Sequence, residues 1–265
     1  MAYRGRVLLT GCGKRGFVGH HIRRYLSDKL DLIATDSDTL DLRDYDAVKR
    51  FIYKNKIESV ILSAATADLD TNLRMYFNIA ALSGELDKII NFSSGAEYNK
   101  KHDIVMVSEE DVGNSIPEDP YGFAKYVITQ HARKVANIFT VRLFSIFGVG
   151  EDWRKKFISN LCCKAIFNLP LSIRRECKFE FTPVDTLPLL VEWMLDSQPL
   201  HKDYNFVSGK PIALTEIAKM VNQISGKNLG IVLLDKDGQD PEYSASNNRL
   251  LQELPWLKMT PLSSA

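Results

Sequence analysis

Tyr121 and Lys125 stand four residues apart in Pro120-Tyr-Gly-Phe-Ala-Lys125. On a helix that spacing puts both side chains on one face. A free phenol has a pKa of about 10 and is a poor acid or base at neutral pH. A neighbouring ammonium favours the phenolate and lowers that value, so such a pair could exchange a proton with a substrate oxygen. Pro120 suits a first helical turn, where its missing N–H costs nothing. The same spacing also serves plain packing with a snorkelling lysine. A hydroxyl pair, Ser93-Ser94, closes the apolar run Ile89-Ile-Asn-Phe92. A hydroxyl at the end of a buried strand can donate to a substrate carbonyl as charge develops on it, or can simply form a turn.

A third motif lies near the start. Val7-Leu-Leu-Thr10 runs into Gly11-Cys-Gly13-Lys14-Arg15-Gly16-Phe17-Val18-Gly19, and a helical pattern follows. Strand, glycine turn and helix together make a diphosphate site: Gly11 permits the tight turn, Gly16 lets backbone approach a phosphate, and Gly19 lets the helix pack on the strand. The Gly11-to-Gly16 gap is two residues longer than usual, with Lys14 and Arg15 filling it. Asp36, near the end of the second strand, could accept from adenosine ribose hydroxyls, which suits NAD. Lys14, Arg15 and Ser37 could instead bind a 2′-phosphate, which suits NADP, or remain solvated charges.

These residues need elements to hold them. Strand patterns at 6–10, 32–35, 60–63, 88–93 and 139–143 alternate with helical patterns at 17–30, 44–55, 68–82 and 121–135. Alternation with continuous apolar strands predicts a parallel sheet buried on both faces by crossover helices, an α/β fold of the doubly wound type. After Gly148 helical patterns dominate (152–167, 184–195, 214–225, 246–254), with short strands between them at 178–181, 203–207 and 230–234. The chain is therefore divided into a dinucleotide-binding domain, 1–149, and a small α/β lobe, 150–265, interleaved with the first domain and not independent of it.

Composition narrows the partners. The 265 residues carry 34 Lys and Arg against 33 Asp and Glu, a formal charge of +1, so no global field draws the chain to nucleic acid or anionic lipid. No run reaches the roughly 18 apolar residues of a membrane span, and the start has no signal-peptide pattern. Cys12, Cys162, Cys163 and Cys177 match neither a disulfide framework nor a zinc site. Reduced thiols in a cytoplasmic protein, without a metal, are expected.

Taken together, Thr10-Gly11…Gly16-Phe-Val-Gly19, Ser94…Tyr98 and Tyr121-xxx-Lys125 resemble the extended short-chain dehydrogenase/reductases, the family of nucleotide-sugar epimerases, dehydratases and ketoreductases. The likeness spans nearly the whole chain and implies a Rossmann-type sheet with a small C-terminal substrate lobe. Further stretches agree: Asp38-Thr-Leu-Asp41-Leu42-Arg-Asp44 after strand two, Ser63-Ala64-Ala65 after strand three, Arg142-Leu-Phe-Ser145-Ile-Phe-Gly148, Lys178-Phe-Glu-Phe-Thr-Pro-Val-Asp185, and Tyr243 to Arg249. The resemblance makes Tyr121 the general acid/base, Lys125 its partner and holder of the nicotinamide ribose, and Ser94 the group orienting the carbonyl. It adds Asp41, Leu42, Ser63, Ala64, Ala65 and Asn78 to the cofactor contacts. An arginine directly before the second motif glycine, the place of Arg15, contacts the 2′-phosphate in related reductases, and NADP is expected over NAD.

The departures are specific. Gly95-Ala96 follow Ser94 where sugar 4,6-dehydratases have Asp-Glu, so dehydration is not expected. Gly95 also stands where the GDP-fucose-synthase group has a cysteine, and Phe157-Ile-Ser-Asn160 lacks that group's histidine, which removes the pair for C3/C5 epimerisation. Ser145 replaces an asparagine. What remains is reduction of a nucleotide-linked 4-keto(-6-deoxy) sugar, with a 4-epimerase holding NAD tightly as the alternative and a non-catalytic dinucleotide-bound regulator as the other. The trimmed lobe of about 115 residues favours the reductase. Its substrate contacts are expected from Ser93, Ser94, Gly95, Ser145, Trp153, Arg154, Arg174 and Lys178. A basic cluster at 174–178 could equally be a solvated face and Trp153 a packing residue. Relatives dimerise through helices corresponding to 68–82 and 121–135, so a homodimer is expected.

Overall fold

The computed structural model describes residues 3–235 and 240–264. Its first half alternates as expected: β1 (Val7–Leu9), α1 (Phe17–Leu26), β2 (Leu32–Ala34), α2 (Tyr45–Asn55), β3 (Ser59–Leu62), α3 (Leu69–Ala80) and β4 (Lys88–Ser94). Then come β5 (Ile104–Val107), α4 (Pro120–Ala132), β6 (Ile138–Leu143) and β7 (Ser145–Phe147). The rest comprises α5 (Phe157–Ile166), β8 (Leu171–Ile173), β9 (Lys178–Phe179), β10 (Phe181–Pro183), α6 (Leu187–Asp196), β11 (Asp203–Phe206), β12 (Ile212–Ala213), α7 (Leu214–Ser225), β13 (Ile231–Leu233), β14 (Tyr243–Ala245) and α8 (Asn248–Glu253).

Six strands form one parallel sheet in the order β11-β6-β4-β3-β1-β2. The winding reverses between β1 and β3, and the crevice beyond their carboxyl ends is where such sheets bind ligands. Side chains alternate along each strand. Val7 and Leu9 join a core under α1 and α6, while Leu8 joins one under α2, α3 and α4. The fold is thus a doubly wound, Rossmann-type α/β sheet. Helix starts are set by carboxylate caps. Asp44, Asp68 and Asp119 accept from Ala47, Thr71 and Gly122 N–H groups to open α2, α3 and α4.

Several elements differ from expectation. The 203–207 strand, read as part of the C-terminal lobe, is β11 and extends the central sheet beside β6. The sequence reading had no strand at 104–107; β5 forms there and pairs with β14, far along the chain. The 178–181 run splits into β9, which joins β12 and β14, and β10, which pairs with β7. Helix α5 starts at Phe157 and not near 152, because the amides of Lys155 and Lys156 turn back onto the Asp152 carbonyl. Among the described residues no helix is long and apolar enough to cross a membrane, and no cluster of His, Cys, Asp and Glu could hold a metal. The four cysteines are free thiols.

Candidate active site

Helix α4 delivers Tyr121 and Lys125 to the carboxyl end of β4. Lys125 is 3% exposed, and its Nζ donates to the Phe92 carbonyl at 2.9 Å. The same Nζ lies 5.9 Å from the centre of the Tyr121 ring, so the two side chains share one helix face. Ser94 ends β4, and its Oγ accepts from Ala96 N–H at 3.2 Å, capping the 3-10 turn Gly95–Tyr98. The start of α4 docks tightly on that turn: a Cβ at Gly122 would lie 2.5 Å from the Ala96 carbonyl oxygen. Serine, tyrosine and lysine are therefore fixed relative to one another by backbone.

The electrostatics differ from the expectation. Burial raises the Tyr121 pKa; hydrogen bonding with Ser94 works against this, and the nearby Glu97 and Asp119 charges add to it. Burial lowers the Lys125 pKa to about 8, against the pull of Glu97. The expected lowering of the phenol by the ammonium is not what this arrangement gives. Desolvation outweighs it, and Tyr121 keeps its proton at neutral pH.

Beneath this trio lies a buried charge network that local sequence patterns did not reveal. Fully buried Glu97 accepts from Ser93 Oγ, from Thr129 Oγ1 at 2.8 Å and from Arg142 Nε at 2.9 Å. Arg142, also fully buried, reaches on to Asp203 of β11 at 2.5 Å, and Asp203 additionally pairs with Arg133 and Arg249, each at 2.7 Å. Ser93 therefore faces inward to Glu97. Its hydroxyl, expected at the substrate, gives its proton to that carboxylate. Gly95 is covered as well. A Cβ there would lie 2.3 Å from the Tyr243 hydroxyl and 2.6 Å from the Phe144 ring, so only glycine fits.

The glycine turn passes a geometric test for a dinucleotide. Gly11 has φ +75°, and a Cβ on it would meet Ala64 N at 2.7 Å. Cβ atoms at Gly16 and Gly19 would lie 1.9 and 2.6 Å from the Gly11 carbonyl oxygen. Thr10 clamps the facing turn by accepting from Ser63 N–H at 3.1 Å and Ala64 N–H at 3.3 Å, with exposed Ala65 next in line. Helix α1 opens at Gly16 without a side-chain cap; the Gly16 and Phe17 amides turn back onto the Gly13 and Arg15 carbonyls, which leaves those of Val18 and Gly19 to a phosphate. Asp36 packs beside Gly13, where a Cβ would lie 3.2 Å from the aspartate Cβ. One of its carboxylate oxygens is occupied by the Thr39 hydroxyl and by the amides of Asp38 and Thr39, which lowers its pKa. Lys14, Arg15 and Ser37 are exposed near this edge, and among the described residues neither cation forms an ion pair. Three of the residues expected at the cofactor also hold this loop. Leu42 is buried in the core, Asn78 donates to its carbonyl at 2.9 Å, and Asp41 is paired with Arg43 at 2.8 Å.

Phe144 and Tyr243, which close on Gly95, also line a cavity of about 590 Å³, together with Ser145, Phe157, Phe179 and Phe181 and the cations Lys100, Lys155, Lys156 and Arg174. Of the residues expected to contact substrate, Ser145 and Arg174 line it. Trp153, Arg154 and Lys178 do not line it. Trp153 is 51% exposed, Arg154 is turned onto Asp152 at 2.9 Å, and Lys178 projects to the surface beside Phe179. Besides Arg174, the cations lining it are Lys100, Lys155 and Lys156. Arg174 is itself paired with Asp240 at 2.8 Å, as Arg175 is with Asp235 and Asp240, so the basic cluster at 174–178 is largely neutralised. A second cavity, apolar and about 360 Å³, lies between α5 and α7 and shares Phe147 and Ile158 with the first.

Comparison with known proteins gives one family and one fold. The sequence pattern of the NAD dependent epimerase/dehydratase family matches residues 7–185. Among solved structures, a GDP-L-fucose synthetase from Naegleria fowleri bound to NADP matches with a TM-score of 0.83 at 19% identity, over 100% of this chain and 92% of that one. A GDP-mannoheptose C4 reductase from Campylobacter jejuni with NADP bound matches with a TM-score of 0.84 at 17% identity, over 100% and 96%. A dTDP-4-dehydrorhamnose reductase from Bacillus anthracis in complex with NADP matches with a TM-score of 0.81 at 18% identity, over 98% and 96%. No curated protein sequence matches the chain.

Proposed function

Because the chain belongs to the NAD dependent epimerase/dehydratase family, we propose that it reduces a nucleotide-linked 4-keto(-6-deoxy) sugar with NADPH. The reading rests on one observation: Ser94, Tyr121 and Lys125 converge at the carboxyl end of β4, and Phe144 and Tyr243, which close on Gly95 beside the serine, also wall the 590 Å³ cavity. The nicotinamide cofactor, when bound, supplies the hydride. Tyr121, a phenol whose pKa burial raises further above its ordinary value, gives its proton to the sugar oxygen. Ser94 donates a second hydrogen bond to that oxygen as negative charge builds on it. Lys125 holds the nicotinamide ribose and keeps a positive charge behind the phenol while its own proton stays on. The turn at 11–19 and the amides opening α1 receive the diphosphate, and Lys14, Arg15 and Ser37 meet the 2′-phosphate. Lys155 and Lys156 are placed to meet the diphosphate of the sugar nucleotide.

The test follows NADPH oxidation with a panel of 4-keto-6-deoxy sugar nucleotides. Tyr121→Phe is expected to lower kcat by roughly 100-fold or more while the NADPH dissociation constant stays within a factor of about two. Turnover close to the wild-type rate would refute the assignment. Interconversion of 4-epimers without net cofactor oxidation would move the reading to the epimerase. NADPH is expected to bind more tightly than NADH. The same proposal includes a homodimer through α3 and α4, where Phe77 and Phe123 are each 37% exposed; light scattering at micromolar concentration tests it.

A further inference from the structure

Tyr243 is a residue the proposed reaction has not yet used. Its backbone is held from both sides, because β14 pairs with β5 at Ile104 and with β9 at Phe179. Its carbonyl accepts from Glu180 N–H at 2.9 Å. Its ring packs against Phe144 at 4.8 Å and Phe179 at 5.4 Å between centroids. Two strands and two rings leave the phenol one direction, toward Gly95, the residue after the catalytic serine. The same side chain forms part of the cavity wall. Burial raises its pKa, with Ser94 pulling the other way, so at neutral pH the group carries a hydrogen to donate.

A sugar carbonyl oxygen has two lone pairs, and in the reduction Ser94 and Tyr121 take both. A third donor beside them meets the next oxygen of the sugar. On a 4-keto pyranose one neighbouring carbon bears the ring oxygen and the other bears the 3-hydroxyl, the exocyclic acceptor within reach.

We propose that Tyr243 is a specificity-determining residue, whose phenol, held between Phe144 and Phe179 beside Ser94, donates to the sugar oxygen on the carbon adjoining the carbonyl. It rests on the ketosugar-reductase reading above. Tyr243 selects substrates that keep a 3-hydroxyl, and the glycine at 95 is what leaves room for it.

The experiment compares wild type with Tyr243→Phe, which preserves both ring contacts. The probes are 4-keto-6-deoxyglucose and its 3-deoxy counterpart, each on thymidine, uridine, guanosine and cytidine diphosphate. Loss of one neutral hydrogen bond predicts a three- to tenfold fall, roughly, in kcat/KM for the 3-hydroxy sugar, mostly through KM. For the 3-deoxy sugar the variant and wild type should agree within about twofold, as should their NADPH dissociation constants. An equal fall for both sugars would mark Tyr243 as structural, and no fall for either would leave it without this role; each result overturns the proposal while the reductase reading stands. Wild type that turns over neither sugar on any nucleotide would overturn the reductase reading, and the role of Tyr243 with it.

Discussion

The ammonium of Lys125 sits where water cannot reach it, and that fixes two measurable properties. In the unfolded chain a lysine keeps its proton to about pH 10.4; in the fold Lys125 keeps it only to about 8. Between those values the unfolded state binds more protons, so this group's contribution to stability rises with pH across that window. At pH 7 the charged lysine is a cost. Lys125→Met is expected to stabilise the protein by roughly 1–2 kcal/mol at pH 7, after the lost bond to Phe92 is allowed for, and by much less at pH 10, read by urea denaturation. The same substitution should abolish NADPH turnover. In the wild type, ketone reduction is expected to be level through neutral pH and to decline above about 8, as Lys125 discharges while Tyr121 is still protonated.

Elements matter here chiefly through close backbone approach. The glycine turn, the turn after β3 and the start of α1 nest so closely that a Cβ at residue 16 would overlap the Gly11 carbonyl. Gly16→Ala is expected to raise the NADPH dissociation constant at least tenfold and to cost about 1–3 kcal/mol of stability, measured by fluorescence titration and urea denaturation. This motif was legible in the sequence because its chemistry is local: strand, glycines and helix follow one another within thirteen residues (7–19). The Tyr–Lys face was legible for the same reason. Tyr243 was not, since its place beside Gly95 depends on β14 meeting β5 and β9 across long stretches of chain. Nor was the inward turn of Ser93, which is decided by Glu97 and Arg142 and by no pattern around the serine itself.

At the scale of the molecule, Arg142 ties three distant segments together. It lies on β6 and bridges Glu97, just after β4, to Asp203 on β11. Burial works against the Asp203 carboxylate, yet Arg142 and Arg133 hold its pKa below the ordinary value of 3.8. Its stabilising effect is therefore present above that pH and lost as acid protonates the folded carboxylate. Arg142→Met strands Glu97 in the core and takes one of three arginines from Asp203, and is expected to cost about 3–5 kcal/mol at pH 7. The deficit should shrink as pH falls and the stranded acid takes up a proton, which guanidinium titrations at pH 7 and 4.5 would show. Because α6 and β11 complete the core around β1 and β6, a fragment ending at residue 149 is expected to show no cooperative unfolding transition. The alternation of strands and helices announced the sheet, but nothing in 203–206 announced that this late strand would return to its edge. The two cavities, finally, have two lining residues in common, Phe147 and Ile158. Trimming half-buried Ile158 (as Ile158→Ala) is expected to join the second cavity, greasy, to the first, aromatic and charged. If the proposed sugar occupies the first cavity, that one small genetic step is expected to admit sugars bearing alkyl or acyl branches, read as a rise in kcat/KM for a branched 4-keto sugar nucleotide over the unbranched one.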